Sequence, residues 1–259
     1  MKGLIIKDLM CLRKRRITYI YIVVVVLVVS IMFVLSARFG NIALAQRSMM
    51  TENGVTDIDV KNLSAFVLSL FMTLSLAMVG DVTAIFWADG KAGFQNVSAI
   101  MPVSIEKRVL SKYITISMFF GIGVTTDLLL AFVISMLTDI LTFGTILKII
   151  ITMASALFIY GAFICLYMFV FGYGKESFAQ FSSIMTIIVA LVLFNFSKVK
   201  RVFVYSFSDK TEVIDVNPIE LIMEAIKDHY LMVLISAIVT GVLSYVLSVF
   251  IAKRKRGLV

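Results

Sequence analysis

Long apolar runs constrain this chain more than any other feature of its sequence. A membrane-spanning helix needs about 20 consecutive, mostly apolar residues, and six stretches of roughly that length recur along the chain. Lipid is the solvent that suits so many apolar side chains, so the sequence predicts an all-α polytopic membrane protein with six transmembrane helices. The predicted spans are roughly Ile17–Ser36, Leu63–Phe86, Tyr113–Leu137, Ile146–Phe171, Phe178–Phe196 and Leu231–Ala252.

The fifth predicted span leaves one alternative open. Only the segment from Gly172 to Ser177 separates it from the fourth span. If this segment is a full turn at the membrane surface, the two spans cross the bilayer separately. If it is not, they form a re-entrant pair. We expect the six separate spans.

The composition excludes a soluble domain. Hydrophobic residues make up 61 % of the 259 residues and charged residues only 15 %, whereas about a quarter of a soluble domain is charged. The formal net charge of +8 would indicate nucleic acid in a soluble protein. Here the cations stand beside the apolar runs, where they set the topology and contact anionic lipid headgroups. Membrane lipid is therefore an expected partner, and no nucleic acid is expected.

The distribution of Lys and Arg predicts that both termini are cytoplasmic. With the N-terminus inside, the inner segments carry 15 Lys and Arg residues and the outer loops carry 8, which follows the positive-inside rule. An even number of spans returns the C-terminus to the same side. We therefore expect the loop at residues 87–112 to be cytoplasmic and the loop at residues 197–230 to be extracellular.

Segments outside the predicted spans also have helical patterns. In residues 1–16, Leu4, Leu9 and Leu12 share one face, which predicts an interfacial amphipathic helix; a basic topology anchor is the alternative. Within residues 197–230, Pro218 suits the first position of an amphipathic helix at the outer surface. No linker or repeat divides the chain, so residues 1–259 are predicted to form one transmembrane domain.

The sequence contains no motif for chemistry of its own. His229 is the only histidine, and no spacing typical of a metal site or a hydrolase is present. The segment Gly172–Glu176 resembles a phosphate-binding loop only superficially, because Phe169 replaces the first glycine and Glu176 replaces the Ser or Thr that binds magnesium. We therefore expect no catalytic residue, metal or cofactor in this chain, and no ATPase activity.

Two carboxylates within the predicted spans are candidates for a substrate path. Asp127 lies in the middle of the third span, and Asp81 lies toward the inner end of the second. A charge inside a bilayer is costly and is by default a functional hypothesis. Asp127 would line the path and attract a cationic substrate. The alternatives for Asp127 are a protonated side chain and a structural pair with another helix.

The inner loop at residues 87–112 contains a series of motifs. An acid at Asp89 is followed four residues later by Gly93, then by the turn Pro102-Val103-Ser104, the basic pair Lys107-Arg108 and Lys112-Tyr113 at the start of the third span. In this series the loop resembles the first cytoplasmic loop of ABC-2 type exporter permeases. The opening residues 1–9 resemble the N-terminal interfacial helix of the same family. A short helix is predicted over residues 91–100 and must end before Pro102.

This resemblance implies a partner and a coupling site. A cytoplasmic ABC ATPase subunit would bind ATP and magnesium and would dock on the loop. A second permease, either an identical copy or a sibling, would complete the path. The residues that the resemblance assigns to coupling are Asp89, Lys91, Gly93, Phe94, Pro102 and Lys107.

Within the family, the chain is most similar to the small permeases of bacterial peptide exporters, such as the phenol-soluble modulin (Pmt) exporters. That similarity implies export of amphipathic, antimicrobial-type peptides through the bacterial plasma membrane and resistance to them. Two alternatives stay open. An ion-coupled secondary carrier would transport without an ATPase but usually has more buried acids and broken spans. A passive immunity protein would bind a peptide without transport.

Overall fold

The computed structural model describes residues 2–13, 16–38, 82–93, 103–137, 143–172, 174–194 and 218–256. Within these ranges the fold is entirely helical. We number the helices in chain order as α1 Lys2–Arg13, α2 Arg16–Arg38, α3 Val82–Lys91, α4 Ile105–Leu137, α5 Phe143–Phe171, α6 Glu176–Phe194 and α7 Pro218–Arg256.

Three of the helices are long and apolar enough to cross a membrane. They cover Ile105–Leu137, Ile146–Phe171 and Tyr230–Lys255, and these are the third, fourth and sixth predicted spans. The first and fifth predicted spans lie in α2 and α6, whose shorter apolar stretches are Thr18–Met32 and Glu176–Ala190. The second predicted span lies outside the described residues except for its end in α3. The all-helical membrane class is therefore confirmed, while the count of six spans and the side of the termini stay predictions.

Helix α5 is the centre of the bundle. It packs against α3, α4, α6 and α7. In its most apolar stretch 56 % of the residues are buried, compared with 22 % in the corresponding stretch of α4 and 17 % in that of α7. Ile164, Cys165 and Met168 of α5 are almost completely buried. A helix with neighbours on several sides needs apolar residues around its circumference, and α5 has the composition for this position.

Among the helices that the structure describes, α5 and α7 have the most extensive contact, and a small residue lies within it. A Cβ atom at Gly241 of α7 would lie 2.8 Å from Cε1 of Phe158 in α5, so glycine allows the two helices to approach closely. Polar side chains join the same helices to α4. The Tyr113 hydroxyl lies 2.6 Å from Ser244 Oγ and 2.9 Å from Ser248 Oγ, and Ser244 Oγ donates to the carbonyl oxygen of Ala162.

The turn between α5 and α6 is closed by glycine and by a lysine from the last helix. Gly172 and Gly174 have φ values of +87° and +82°, which glycine adopts without a steric penalty. Lys255 Nζ donates to the carbonyl oxygens of Phe169 and Val170 at 2.8 and 2.6 Å, so it satisfies acceptors that the end of α5 leaves without a helical partner.

Helix α7 continues the predicted outer helix into the last span. It begins at Pro218, where the sequence predicts the first helical position, and runs without a break for 39 residues. At 1.5 Å per residue its length is about 58 Å, almost twice the roughly 30 Å hydrocarbon thickness of a bilayer. The helical part of the segment 197–230 is therefore collinear with the sixth span, and the rest of that segment lies outside the described residues.

Candidate functional site: a buried ion cluster that joins three helices

The predicted coupling loop is bordered by two helices whose ends reach into it. Helix α3 includes residues 87–91 and ends where Ala92 N–H donates to the Ala88 carbonyl at 3.0 Å. Gly93 follows with φ +61°, a left-handed conformation that commonly ends helices and that glycine adopts easily. Asp89 therefore lies in the last turn of α3 rather than in an extended loop.

Helix α4 begins on the other side of the loop and buries a cation two turns later. Its first turn contains Glu106, a carboxylate near the positive end of the helix dipole. Ser111, Lys112 and Thr115 follow on a buried face. Because a lysine is rarely buried without a partner, the position of Lys112 indicates that carboxylates lie opposite it.

Helix α1 supplies the remaining members of the site. It contacts both α3 and α4, and its Leu12 packs in an apolar cluster with Ala84 and Ile85 of α3. This packing fixes the rotation of α1 and turns Asp8 to the interior, where the residue is completely buried. Lys7 lies beside it at the edge of the interface.

Four charged side chains of these three helices form one cluster. Lys112 Nζ donates to Asp8 Oδ1 at 2.7 Å and also to Asp89 Oδ2. Lys7 Nζ donates to Asp89 Oδ1 and lies 2.9 Å from Asp8 Oδ1. The exposed fractions of the four side chains are 25 % for Lys7, 1 % for Asp8, 3 % for Asp89 and 8 % for Lys112. We call these four residues the ion cluster.

The electrostatics of the ion cluster balance within it. Two ammonium groups face two carboxylates, so the formal charges of these four described side chains sum to zero. Burial by itself would lower the pKa of Lys7, but the hydrogen bonds and charges of Asp89 and Asp8 outweigh it and raise that pKa above its ordinary value. Lys112 Nζ also lies 5.5 Å from the ring centroid of Phe86, a cation–π contact that further stabilises a desolvated ammonium group.

This arrangement holds the three helices together, so that they move as one unit. Each lysine contacts both carboxylates, so the cluster resists separation of any of the three helices. Removal of one partner from a buried ion pair leaves an uncompensated charge and is strongly destabilising. Among the residues that the structure describes, no group of His, Cys, Asp and Glu has the arrangement of a metal site.

The structure places the predicted coupling residues in three different settings. Asp89 is inside the ion cluster. Lys91 is exposed, with Nζ 4.9 Å from the ring centroid of Trp87, and Gly93 and Lys107 are also exposed. Phe94 and Pro102 lie outside the described residues, as does the predicted path residue Asp81.

Asp127, the other predicted path residue, is far from the ion cluster. It is 2 % exposed and lies 15 residues beyond Lys112 on α4, about 22 Å farther along the helix. It is therefore buried inside the helical bundle of a single chain, and its role in a path stays a prediction.

Sequence reasoning missed three members of the ion cluster. Lys7 and Lys112 are among the 15 inner cations of the topology prediction, and the family resemblance includes Lys112 and Asp8 only as motif positions, without a partner. One signal was present: Asp8 is the only acid within residues 1–16. A single acid in a strongly basic amphipathic helix is expected to pair with a cation of the protein, because it gains nothing from anionic lipid headgroups.

The chain matches one protein family over most of its length. Residues 54–254 match the family described as ABC-2 family transporter protein. This range contains Asp89 and Lys112, the helices α3 to α6 and nearly all of α7, whereas Lys7 and Asp8 lie before it. No curated protein and no solved structure shows significant similarity to the chain.

Proposed function

Because the chain belongs to the ABC-2 transporter family, and is thus a membrane permease that works with an ATPase subunit, we propose that it is the transmembrane half of an exporter of amphipathic peptides. ATP hydrolysis takes place in a separate nucleotide-binding subunit. The peptides are of the antimicrobial, phenol-soluble-modulin-like type, and they leave from the cytoplasm or from the inner leaflet of a bacterial plasma membrane. A second copy of the chain, or a sibling permease, completes the translocation path.

The ion cluster is the observation that supports this proposal best. It ties α1 to the last turn of α3 and to the second turn of α4. These two turns border the loop on which the ATPase subunit is expected to dock. A displacement of the loop therefore moves α1 together with α3 and α4, and not the loop alone.

Exposed residues beside the cluster provide the docking surface in this mechanism. Lys91, Ala92 and Gly93 at the end of α3, and Lys107 in the first turn of α4, are exposed at the two edges of the loop. The buried Asp89 acts behind them as a positioning residue, since it holds both loop edges against α1. The ATPase subunit pushes on the exposed residues, and the ion cluster transmits the movement.

The peptide specificity is proposed from the resemblance of the chain to small peptide-exporter permeases, and the need for a separate ATPase subunit from the lack of an energy-coupling motif in the sequence. An amphipathic peptide partitions into the membrane interface, so it reaches the permease from the inner leaflet. Asp127 stays a candidate for attracting a cationic peptide, once conformational change or a second permease opens its surroundings.

Co-purification with an ATPase subunit is the first test. The chain is expressed with the ATPase encoded beside it, extracted gently and tested for a complex that hydrolyses ATP faster when an amphipathic cationic peptide is added. A stable complex with peptide-stimulated hydrolysis supports the proposal. A chain that purifies alone and protects cells without ATP hydrolysis contradicts it and favours passive peptide binding.

A pair of matched tryptophan substitutions then tests the docking surface. Ala92→Trp places a bulky side chain on the exposed end of α3, so we expect peptide-stimulated ATP hydrolysis to fall by about tenfold or more, as for the loss of about 1.4 kcal/mol of interface energy. The control is Gly144→Trp, an exposed position near the start of α5 with no atom within 4 Å of its added Cβ. Equal hydrolysis rates in both variants would contradict docking at this loop.

A further inference from the structure

Helices α5 and α7 are joined at several levels along their length. Near the start of α5, Lys148 Nζ lies 5.4 Å from the ring centroid of Tyr230. Farther along, Ser244 Oγ donates to the Ala162 carbonyl, and Lys255 Nζ donates to carbonyl oxygens at the end of α5. Together with the close glycine contact between the same helices, these bonds make α5 and α7 one structural unit, which we call the α5–α7 unit.

Helix α4 belongs to a different unit. The ion cluster ties it to α1 and to the last turn of α3, and we call these three helices the loop unit. Aromatic pairs pack the loop unit on α5, with Phe86 edge-on to Phe169 and Phe120 beside Phe158. Apolar contacts have no fixed direction, so they allow the loop unit to slide along α5.

Tyr113 of α4 lies between two successive turns of α7. Its hydroxyl oxygen is 2.6 Å from Ser244 Oγ and 2.9 Å from Ser248 Oγ. Because Ser244 donates its own proton to the Ala162 carbonyl, it accepts the proton of Tyr113, and Tyr113 accepts the proton of Ser248. The tyrosine therefore donates to one turn of α7 and accepts from the next.

The hydroxyl groups on α7 recur at a fixed spacing. Thr240 precedes Ser244 by four residues, as Ser244 precedes Ser248, so successive hydroxyls are about 6 Å apart along one side of the helix. A displacement of α4 by this distance brings the Tyr113 hydroxyl from Ser244 and Ser248 to Thr240 and Ser244. Two hydrogen bonds of the same kind form in both registers.

The direction of this displacement agrees with the coupling mechanism. Glu106 near the start of α4 pairs with Lys253 near the end of α7, so the two helices are antiparallel, and Thr240 lies farther from the loop than Ser248. A push on the loop therefore moves Tyr113 toward Thr240. The pair Glu106–Lys253 then opens at little cost, because both side chains are more than half exposed.

We propose that Tyr113 is a positioning residue of the transport cycle, which sets the register between the loop unit and the α5–α7 unit. Its hydroxyl is held by Ser244 and Ser248 in the register of this structure, and by Thr240 and Ser244 in a second register one turn away. Displacements of one turn between packed elements occur in allosteric proteins. The role in transport rests on the proposed function, whereas the two registers are a property of the chain itself.

Spin-label distances in the purified full chain test the two registers. The labels replace Met118 on α4 and Phe250 on α7, which are both exposed. Ser248→Ala removes a partner of the first register, so we expect a second population in which the labels are roughly 5 Å farther apart. Thr240→Val, added to Ser248→Ala, removes a partner of the second register and is expected to abolish that population.

A second pair of labels is the control for these distances. It replaces Phe143 on α5 and Met232 on α7, which are also exposed. Both positions belong to the α5–α7 unit, so their separation is expected to be the same in the wild type and in every variant.

Peptide export by the complex with the ATPase subunit tests the role of Tyr113. Tyr113→Phe keeps the ring and removes the hydroxyl, so the peptide exported per ATP hydrolysed is expected to fall by about fivefold, as for the loss of one hydrogen bond. Thr240→Val is expected to lower this ratio similarly. A hydroxyl network that only stabilises the present fold would not produce that loss, because Tyr113 is bonded here to Ser244 and Ser248.

Two matched substitutions are the controls for export. Tyr167→Phe removes a hydroxyl that lies 2.6 Å from Thr186 Oγ1 and joins α5 to α6. Ser236→Ala removes the hydroxyl one turn beyond Thr240, which donates to the Val233 carbonyl of its own helix. Both variants are expected to export as much peptide per ATP as the wild type.

The two measurements distinguish failure of the registers from failure of the proposed function. A single distance between the labels at positions 118 and 250 in Ser248→Ala would overturn the second register. A normal export ratio in Thr240→Val, or equal losses in Tyr113→Phe and Tyr167→Phe, would overturn the role of Tyr113 in transport. If the chain forms no complex with an ATPase subunit, the proposed function fails, and the label distances still decide whether the two registers exist.

Discussion

Two ionic sites near the start of α4 connect helices that are distant in sequence, and they differ in almost every physical property. The ion cluster joins α1, α3 and α4, and its side chains are between 1 % and 25 % exposed. The pair Glu106–Lys253 joins α4 to α7, and its side chains are 56 % and 54 % exposed. Both sites include residues of α4 that are separated by less than two helical turns.

The comparison shows that burial, and not the presence of an ion pair, decides what such a site does. Water screens the Glu106–Lys253 pair and replaces it at little cost when it opens. The ion cluster has no such replacement, because its carboxylates are removed from solvent. An exposed pair therefore adjusts as helices move, whereas the cluster keeps α1, α3 and α4 together.

Removal of the central lysine of the cluster should have the largest effect. Lys112→Met leaves Asp8 and Asp89 buried with Lys7 as the remaining cation of the four described residues, so we expect a loss of about 3–5 kcal/mol in the free energy of unfolding, as for other broken buried pairs. The measurement is thermal or denaturant unfolding of the purified full chain. The matched control is Lys107→Met, one of the exposed lysines of the same helix.

A double substitution sharpens this result. If the charges act as one unit, Lys112→Met combined with Asp89→Asn should be less destabilising than the sum of the two single changes, by about 0.5–3 kcal/mol. Additive losses would mean that Lys112 and Asp89 contribute independently, and the cluster would then not hold the three helices together as one unit.

Lys7 should show an intermediate effect that depends on pH. The carboxylates raise the pKa of Lys7 in the folded protein above its ordinary value of 10.5. Lys7 therefore stabilises the fold fully at pH values below 10.5, and this stabilisation is lost as the pH rises through the higher pKa of the folded state. Lys7→Gln should therefore lower the unfolding temperature by a constant amount between about pH 7 and pH 9, far below the pKa of a free lysine. The difference from the wild type should shrink only above the ordinary lysine pKa.

The quantity to follow is the difference in unfolding temperature between the wild type and the Lys7→Gln variant. Other groups that titrate in alkali change the unfolding temperature of both proteins by the same amount. If this difference in unfolding temperature decreases already near neutral pH, the pKa of Lys7 is not raised. If the two unfolding temperatures are equal at every pH, Lys7 is not part of the ion cluster in solution.

The exposed pair should give the smallest effect. Glu106→Gln removes the contact with Lys253, but both side chains remain hydrated, so we expect no resolvable change in unfolding temperature in about 1 M salt and only a small one at low salt. The measurement is the same unfolding experiment at two salt concentrations. A loss as large as that of Lys112→Met would remove the distinction between the two sites.

The sequence predicts the class of fold well because lipid imposes a simple rule on length and polarity. The apolar lengths of the third, fourth and sixth spans are sufficient to predict helices that cross a membrane. Pro218 also predicts the start of α7 correctly. The unbroken connection of that helix with the last span is harder to predict, because nothing between Asn217 and Leu231 requires or forbids a bend.

The ion cluster is only partly accessible to sequence reasoning. Asp89 is identified through the family resemblance of its loop, but its partners lie 82 and 23 residues away. Pairings at such separations depend on how helices pack, which local periodicity does not record. The polar contact of Tyr113 with Ser244, at a separation of 131 residues, was missed for the same reason.

The ion cluster also constrains the order in which the chain is built. Lys112 is synthesised 104 residues after Asp8, a delay of roughly 5–20 s at ordinary translation rates. During that interval the nascent N-terminal segment has neither Asp89 nor Lys112 for most of the time, so its own Lys7 and Asp8 must stay hydrated. Helix α1 can therefore take its final place only after the start of α4 has left the ribosome, which makes the beginning of the sequence a late part of the fold.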